Sequence, residues 1–381
     1  MKITLIDPKI DTKRLFEKIE CSKAGYEIMK EKTETLLFFI KDLKTPAANI
    51  LKQDALSIGA DLAVSKDTIM CKKERVDAVL IANEKELKLL IQKEKAQPFG
   101  LKELSKELEK FLKPQKYPLK IMGVLNANED SFYEKSRFLP QNAKDRIEKM
   151  IQEGADIIDI GGVSSRPGSE YPGEEEEFRR IKPVVDAVYE NDLYKKAIFS
   201  LDSYSPKCLT YALERGFKIV NDITALQNDE VAKIAASFNA TVVLMHMKGT
   251  PKTMQKDPFY EDVIEEVDNF FTQRIEKALK FGIKDIILDV GIGFGKRLED
   301  NLLLIKHLRH FTKFGYRLLI GASRKSMIDK IHPSPTKERL PGTLAIHQKA
   351  LDNGASVLRV HDVKEHRQMI DIYEAIKKTL I

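Results

Sequence analysis

The stretch that decides the fold reads Ile157-Ile158-Asp159-Ile160-Gly161-Gly162-Val163-Ser164-Ser165-Arg166-Pro167-Gly168. Its β-branched start is typical of a strand buried on both faces in a parallel sheet. Two glycines, Gly161 and Gly162, follow this strand. Glycine lets the backbone turn sharply and lie close to a ligand. Arg166 adds a permanent positive charge with a planar set of donors. The stretch predicts a loop that holds a polar or anionic small molecule at the carboxyl end of a strand. An ordinary strand-to-helix connection is the alternative.

The chain from about residue 119 onward repeats this pattern in eight β-then-α units. The strand candidates are Leu119–Leu125, Ile157–Ile160, Ala197–Leu201, Lys218–Val220, Thr241–Met245, Asp285–Leu288, Arg317–Ile320 and Ser356–Val360. The helical patterns are Asn142–Glu153, Glu174–Glu190, Pro206–Glu214, Asp229–Ser237, Asp262–Lys280, Leu298–Arg309, Thr343–Asp352 and Val363–Lys378. Eight such units predict an α/β protein with a (β/α)8 TIM barrel. A doubly wound open sheet is the alternative, but it would separate the first and last strands, whose following residues suit one site.

Residues 1–115 differ in amino-acid composition from the rest of the chain, because they contain many Lys and Glu residues and few glycines. Their strand candidates are Leu36–Ile40, Asp61–Val64 and Ala78–Ile81, and their helical patterns are Glu84–Glu94 and Leu101–Leu112. They predict a small N-terminal α/β extension domain of unknown role. The prolines of residues 113–118 mark a linker, and residues 116–381 form the barrel domain.

Composition limits the class of protein. The net charge of +6 arises from 64 basic and 58 acidic residues, which is too balanced to indicate a nucleic-acid partner. The three cysteines have no metal-site or disulfide spacing. No apolar run reaches the length of a membrane span, and the first residues lack a signal-peptide pattern. These features predict a cytoplasmic protein that contacts no membrane.

Polar side chains follow all eight strand candidates, at the end where a TIM barrel has its active site. They are Asn126, Asn128, Asp130, Ser131, Asp159, Ser164, Ser165, Arg166, Asp202, Asn221, Asp222, His246, Lys248, Asp289, Lys296, Ser323, Arg324, Lys325, Arg359 and His361. A single Asp in such a place often caps the next helix. Polar groups after every strand instead predict a ligand site.

The residue types in this set indicate its ligand. Asp202, Asn221 and Asp289 offer acceptors for the paired N–H groups of a guanine or pterin ring, and Lys325 offers a donor for its carbonyl. Arg359 and His361, beside Asn126, suit phosphate oxygens or a metal-bound pyrophosphate. The sequence shows no Ser-His-Asp triad, no Cys/His zinc pattern and no Rossmann glycine spacing.

Eight motifs in order resemble the dihydropteroate synthase family, the pterin-binding enzymes of bacterial folate synthesis. They are Ile121–Asn126 with Asp130–Phe132, Asp159–Gly162 with Ser164–Gly168, Ser200–Ser203, Asn221–Ile223, Met245–Pro251, Leu288–Asp289 with Gly291–Lys296, Gly321–Ser326 and Leu358–Asp362. The resemblance covers about residues 120–375. It implies a transferase that joins p-aminobenzoate to 6-hydroxymethyl-7,8-dihydropterin pyrophosphate, which gives 7,8-dihydropteroate and pyrophosphate.

The resemblance also implies roles for residues of this chain. The pterin ring would contact Asp202, Asn221, Met245, Asp289, Lys325 and Arg359, and the pyrophosphate would contact Asn126, Arg359 and His361. The p-aminobenzoate pocket would comprise Ser165, Arg166, Pro167, Phe294, Lys296 and Ser323. The catalytic set would be Asp202, Asp289, Lys325, Arg359 and His361. Mg2+ would be the cofactor, with Asn126 as a ligand. A homodimer and sulfonamide sensitivity are also implied.

The chain departs from the family pattern in four places. Val163 replaces a glutamate, Ser165 a threonine, Asn128-Glu129 a Thr-Pro pair and Val290 a proline. Ser165 keeps the hydroxyl, whereas Val163 and Glu129 affect loops expected to close over the site. Two other functions remain as alternatives. One is a pterin-binding methyltransferase, although the chain lacks a cobalamin-ligand motif, and the other is a non-catalytic folate-binding protein.

Overall fold

The computed structural model describes residues 1–112, 115–127, 140–163, 168–250, 252–254 and 256–380. The chain divides into two compact units, one of residues 1–114 with 374–381 and one of residues 115–373. No helix in these described ranges has the length and apolar character needed to cross a membrane.

The larger unit is a closed barrel of eight parallel strands. The strands are β4 (Lys120–Asn126), β5 (Ile157–Gly161), β6 (Ile198–Asp202), β7 (Ile219–Asp222), β8 (Thr241–Met245), β9 (Ile286–Asp289), β10 (Arg317–Ile320) and β11 (Val357–Val360). The last strand pairs with the first, with Arg359 opposite Met122. This pairing confirms the predicted (β/α)8 barrel and excludes the open sheet.

Helices follow the strands along the chain. They are α6 (Pro140–Gln152), α7 (Glu174–Glu190), α8 (Pro206–Glu214), α9 (Asp229–Ser237), α10 (Val263–Lys280), α11 (Leu298–Lys306), α12 (Ser326–Ile331), α13 (Leu340–Asp352) and α14 (Val363–Lys378). The predicted helix Leu298–Arg309 ends at Lys306, and a 3₁₀ segment, Leu308–Phe314, follows it. The sequence did not predict α12, because six residues are too few to show a helical period.

The barrel interior is filled by one side chain from each strand. This layer consists of Met122, Ile157, Ile198, Ile219, Val243, Ile287, Leu319 and Val357. Burying each such side chain stabilises the fold by about 1.5–3 kcal/mol. Because side chains alternate across a strand, the residue two positions after each of these also points inward, one layer nearer the carboxyl end. That next layer includes Asp159, Asn221, Met245, Asp289 and Arg359.

The smaller unit contains α1 (Thr12–Lys18), α2 (Lys23–Met29), β1 (Thr35–Lys44), α3 (Thr45–Ser57), β2 (Asp61–Val64), β3 (Arg75–Asn83), α4 (Glu84–Glu94) and α5 (Leu101–Glu109). Its three strands form an antiparallel sheet in the order β1-β3-β2. The sequence did not predict α1–α3. In α3 the buried face is mostly alanine, namely Ala47, Ala48 and Ala55 around Leu51, and this gives a weak apolar period.

Glu94 is a titratable group within the core of this smaller unit. It is fully buried, and within the described part of the chain neither carboxylate oxygen has a hydrogen-bond partner. Burial raises the pKa of Glu94 from 4.5 to about 7, and the neighbouring Asp54 carboxylate adds to this effect. Between these two values the folded state holds a proton that the unfolded state has lost. Stability therefore falls as the pH rises from 4.5 to about 7.

Glu94→Gln is expected to raise the free energy of unfolding of this unit by about 3 kcal/mol at pH 8 and to change it little at pH 4.5. Glutamine keeps the shape of the protonated acid and cannot ionise. Hydrogen exchange of the α4 amides in increasing urea measures the effect, with exposed Glu103→Gln as the control. An equal effect at both pH values would contradict the assignment of Glu94.

Candidate active site

Arg359 is the centre of a buried network at the carboxyl end of the barrel. Its Nε donates to Asp159 Oδ2 at 2.7 Å, and its Nη2 donates to Asp202 Oδ2 at 2.8 Å. Asn221 Nδ2 also donates to Asp159 Oδ2, at 3.1 Å. The structure thus brings together three predicted pterin contacts, Arg359, Asp202 and Asn221, which come from strands β11, β6 and β7.

The charges of this network perturb each other. Burial alone would lower the pKa of Arg359, but the Asp159 and Asp202 carboxylates raise it on balance. Burial raises the pKa of Asp202, and Asp159 adds to this rise while Arg359 opposes it. Two carboxylates share one guanidinium, so the network favours a ligand that brings further N–H donors.

Asp159 was not assigned a role by the sequence reasoning, which named it only as a polar strand residue. It is fully buried, and its Oδ1 has no hydrogen-bond partner among the residues that the structure describes. The sequence does indicate that Asp159 has a partner, because a carboxylate inside an otherwise apolar strand is almost never left unpaired in a core. Its partner Arg359 lies 200 residues later in the chain, so sequence separation concealed the pair.

Asp289 lies at the end of β9 and fixes the glycine-rich loop that follows. Its Oδ1 accepts the Gly291 N–H at 2.8 Å, and burial raises its pKa. Gly291 has φ +67°, and a Cβ there would lie 1.9 Å from the His246 carbonyl oxygen. Only glycine fits this position. Asp289 Oδ1 is therefore engaged by the backbone of its own loop.

Lys296 lies inside this loop. It is 3% exposed, and its Nζ contacts the Gly291 and Phe294 carbonyl oxygens at 2.9 and 3.1 Å. The same ammonium lies 2.9 Å from His246 Nδ1. Burial lowers its pKa to about 7. The resemblance implies a place for Lys296 in the p-aminobenzoate pocket, and in the structure its ammonium faces the loop backbone.

A small apolar cluster lies at the rim beside the charged network. It contains Ile223, Met245, Met254 and Phe294. Lys325 Nζ lies 4.1 Å from the centre of the Phe294 ring. A cavity of about 510 Å³ opens next to Asp202 and Met245. The rim therefore offers an apolar wall, an ammonium and carboxylates, a combination that suits a flat polar ring.

The loops after β10 and β11 join at the rim. His361 Nδ1 lies 3.0 Å from Ser323 Oγ, and Arg324 forms a two-point ion pair with Asp362 at 2.9 and 2.5 Å. Asn126 ends β4, the strand paired with β11.

Some predicted residues lie outside the part of the chain that the structure describes. They are Asn128, Glu129, Asp130, Ser131, Ser164, Ser165, Arg166 and Pro167. Val163 lines the cavity, and Val290 is buried in the core.

Fold and site together define a class of protein. Polar side chains from separate strands meet at the carboxyl end of a (β/α)8 barrel, where enzymes of this fold bind their substrates. The chain is thus a TIM-barrel enzyme with a site for a small polar ligand.

Comparison with known proteins identifies the family. The family model described as pterin binding enzyme matches residues 122–361. The bifunctional dihydropteroate synthase/dihydropteroate reductase of Helicobacter pylori is 43% identical over 96% of this chain and 97% of that protein. The dihydropteroate synthase of Haemophilus influenzae is 40% identical over 67% of this chain and 93% of that protein.

A solved structure agrees with these relatives. The Thermus thermophilus dihydropteroate synthase in complex with 4-aminobenzoate aligns with a TM-score of 0.62 at 36% identity, over 68% of this chain and 95% of that one. The chain belongs to the pterin-binding enzymes and, within them, to the dihydropteroate synthases. It is a transferase of folate biosynthesis, as the motifs predicted.

Proposed function

We propose that the pterin ring binds against Asp202, Asn221, Asp289 and Lys325, with Met245 as an apolar contact and Arg359 stacked on the ring. The main support for this proposal is one hydrogen-bonded network, which joins Arg359, Asp159, Asp202 and Asn221. Carboxylates in such a buried site accept the paired N–H groups of a pterin ring. The ammonium of Lys325 would donate to the ring carbonyl.

The pyrophosphate is proposed to leave toward Arg359 and His361. The reaction breaks the bond between the pterin methylene carbon and a pyrophosphate oxygen, and the amine nitrogen of p-aminobenzoate attacks that carbon and loses a proton. Negative charge develops on the departing oxygen, where the guanidinium and the imidazole stabilise it. Buried Asp202 and Asp289 stabilise positive charge spread into the ring. The aromatic amine needs positioning more than a strong base.

The p-aminobenzoate pocket is proposed to include Phe294 and Ser323 together with Ser165, Arg166 and Pro167. Phe294 lies in the rim cluster, and Ser323 contacts His361. Lys296 supports this pocket indirectly, because its ammonium holds the carbonyl groups of the loop that presents Phe294. A sulfonamide is expected to compete with p-aminobenzoate for this pocket.

Mg2+ is proposed as the cofactor, with Asn126 as a protein ligand. Within the described ranges no group of three His, Cys, Asp or Glu side chains is arranged to hold a metal. Mg2+ commonly keeps several waters and binds one or two protein groups besides substrate phosphates. Asn126 at the end of β4 fits this mode. When bound with the pyrophosphate, the ion would neutralise part of its charge.

Release of pyrophosphate tests the assignment. The full chain with Mg2+, the pterin pyrophosphate and p-aminobenzoate is expected to release pyrophosphate and dihydropteroate in equal amounts. Omission of p-aminobenzoate is the control. A folded chain that binds pterin but releases no pyrophosphate would favour the non-catalytic folate-binding alternative, and methyl transfer would favour the methyltransferase.

A second activity, dihydropteroate reduction, is proposed from the extent of one alignment. The bifunctional Helicobacter relative matches 96% of this chain, whereas the Haemophilus synthase matches 67%. The additional length is about that of the N-terminal extension, residues 1–115, and we propose that this extension is a separate domain with a role in the reduction. Reduction adds a hydride to carbon and a proton to nitrogen of the remaining C=N bond, so it requires a reduced nicotinamide or a reduced flavin as hydride donor.

The full chain is expected to convert 7,8-dihydropteroate to the tetrahydro product when supplied with one of these donors. Oxidation of the donor in a one-to-one ratio with product is the readout. The Haemophilus synthase, which lacks the additional length, is the matched control. Equal rates for the two proteins, or no reduction with either donor, would contradict this second activity.

A homodimer formed through barrel helices is also proposed, from resemblance alone. Sedimentation at micromolar concentration distinguishes a dimer from a 43.5 kDa monomer.

A further inference from the structure

Two buried histidines lie near the rim but outside the residues proposed to contact substrate. His347 in α13 and His366 in α14 have no exposed surface, and His347 Nδ1 lies 2.8 Å from His366 Nε2. His347 Nε2 lies 3.2 Å from the Ala322 N–H nitrogen, and His366 Nδ1 lies 2.6 Å from the Asp362 carbonyl oxygen. The two rings form a continuous chain of hydrogen bonds between the loops after β10 and β11.

The backbone groups at the two ends fix the protonation of both rings. An amide N–H only donates, so His347 Nε2 accepts and its proton lies on Nδ1. A carbonyl only accepts, so His366 carries its proton on Nδ1, and its Nε2 accepts from His347. Every donor meets an acceptor when both rings are neutral. Burial lowers the pKa of both histidines, which favours this state.

The residues at the ends of this chain adjoin the proposed site. Ala322 precedes Ser323, and Asp362 follows His361. The same two loops meet through the Ser323–His361 contact and the Arg324–Asp362 ion pair. Arg324 has φ +56°, an uncommon conformation for a residue with a side chain. Surrounding contacts must maintain such a backbone. They include the buried histidine pair and the buried Thr343, whose Oγ1 accepts the Arg324 N–H at 2.9 Å.

We propose that His347 and His366 are positioning residues for the transfer reaction, which hold the two loops at the spacing where Ser323 and His361 meet the substrates. This inference rests on the role proposed for His361. Groups that stabilise developing charge act best when they are in place before the reaction. Loops that separate would therefore reduce kcat more than they raise KM.

His366→Phe keeps a ring of similar volume and removes both hydrogen bonds. It is expected to lower kcat about tenfold, with KM for p-aminobenzoate changed less than about twofold. His366→Asn preserves the donor to the Asp362 carbonyl, because its amide nitrogen takes the place of Nδ1. Its kcat is expected to be about threefold below that of the wild type, which is half of the His366→Phe loss on a logarithmic scale. The double variant with His347→Phe is expected to lose no more activity than His366→Phe alone, because both rings act through one chain.

His310→Phe is the matched control. His310 lies in the segment before β10, outside the residues proposed to contact substrate, and its Nε2 is 2.8 Å from Asp268 Oδ1. It is expected to lose stability without loss of kcat. Wild-type kcat in folded His366→Phe, or an equal loss in His310→Phe, would overturn the positioning role.

His361→Ala separates the two proposals. Wild-type kcat in that variant would overturn the role of His361 and with it the inference. Reduced kcat there, with wild-type kcat in His366→Phe, would overturn the positioning role alone. Nitrogen NMR of the histidine-labelled full chain gives an independent readout, since both rings are expected in the Nδ1–H form. An Nε2–H form of His366 would contradict the chain of hydrogen bonds.

Discussion

Replacement of Arg359 with methionine is expected to lower kcat by about 10²–10³-fold, because the departing pyrophosphate loses a preorganised donor. Methionine resembles the apolar part of arginine in length but carries no charge. The measurement is steady-state release of pyrophosphate at saturating concentrations of both substrates. Unchanged kcat would remove Arg359 from the reacting centre.

The same substitution leaves Asp159 and Asp202 buried without their guanidinium. Loss of one partner of a buried ion pair costs about 3–5 kcal/mol. The cost should shrink at acidic pH, where an unpaired carboxylate takes up a proton. Arg359→Met combined with Asp159→Asn is therefore expected to recover stability in urea denaturation but not kcat. Recovery of both would mean that Arg359 acts only through folding.

Arg367 provides a matched control, because it forms a half-buried ion pair that lies away from the proposed site. Arg367 Nη2 lies 2.8 Å from Asp156 Oδ2, and Asp156 precedes β5, at the end of the barrel away from the site. Arg367→Met is expected to reduce stability without a change in kcat. A similar kinetic loss in this variant would indicate that any weakened barrel loses activity.

Much of the barrel was predictable because its strands are buried on both faces. A continuous apolar run between polar residues defines such a strand, and Thr241–Met245 and Arg317–Ile320 were predicted with the bounds that the structure shows. Helices α1–α3 were not predictable in the same way. They belong to the smaller unit, where short length or an alanine face gives little periodicity.

The predicted site depended on a topological argument. Residues that follow parallel strands of a closed barrel must share one rim, so distant residues such as Asp202 and Arg359 could be placed together. Their direct contacts could not be predicted. The pairing of Arg359 with Asp159, and the turn of Lys296 toward loop carbonyls, depend on how side chains fill the closed barrel. The three glycines of residues 291–295 indicated a tight loop, and each of them has a positive φ in the structure.

Asp289→Asn is expected to weaken pterin binding by about 1–3 kcal/mol, which is about 5–150-fold in Kd. One acceptor oxygen becomes an NH2 group that faces the N–H donors of the ring. The loop should survive the change, because the remaining amide oxygen can still accept the Gly291 N–H that Asp289 Oδ1 accepts. Calorimetric titration with a pterin measures the loss.

Asp222→Asn tests whether this loss is specific to the ligand. Asp222 is also a buried aspartate at the end of a barrel strand, but its carboxylate accepts from the Thr224 and Leu226 backbone N–H groups. Its substitution is expected to affect stability and to leave pterin affinity within about twofold of wild type. If Asp289 accepts hydrogen bonds from the N–H groups of the ring, Asp289→Asn should weaken the binding of an analogue without the ring amino group less than it weakens the binding of the pterin. Equal losses for the two ligands would mean that Asp289 acts through the loop, because only a direct contact makes the cost depend on the donors of the ligand.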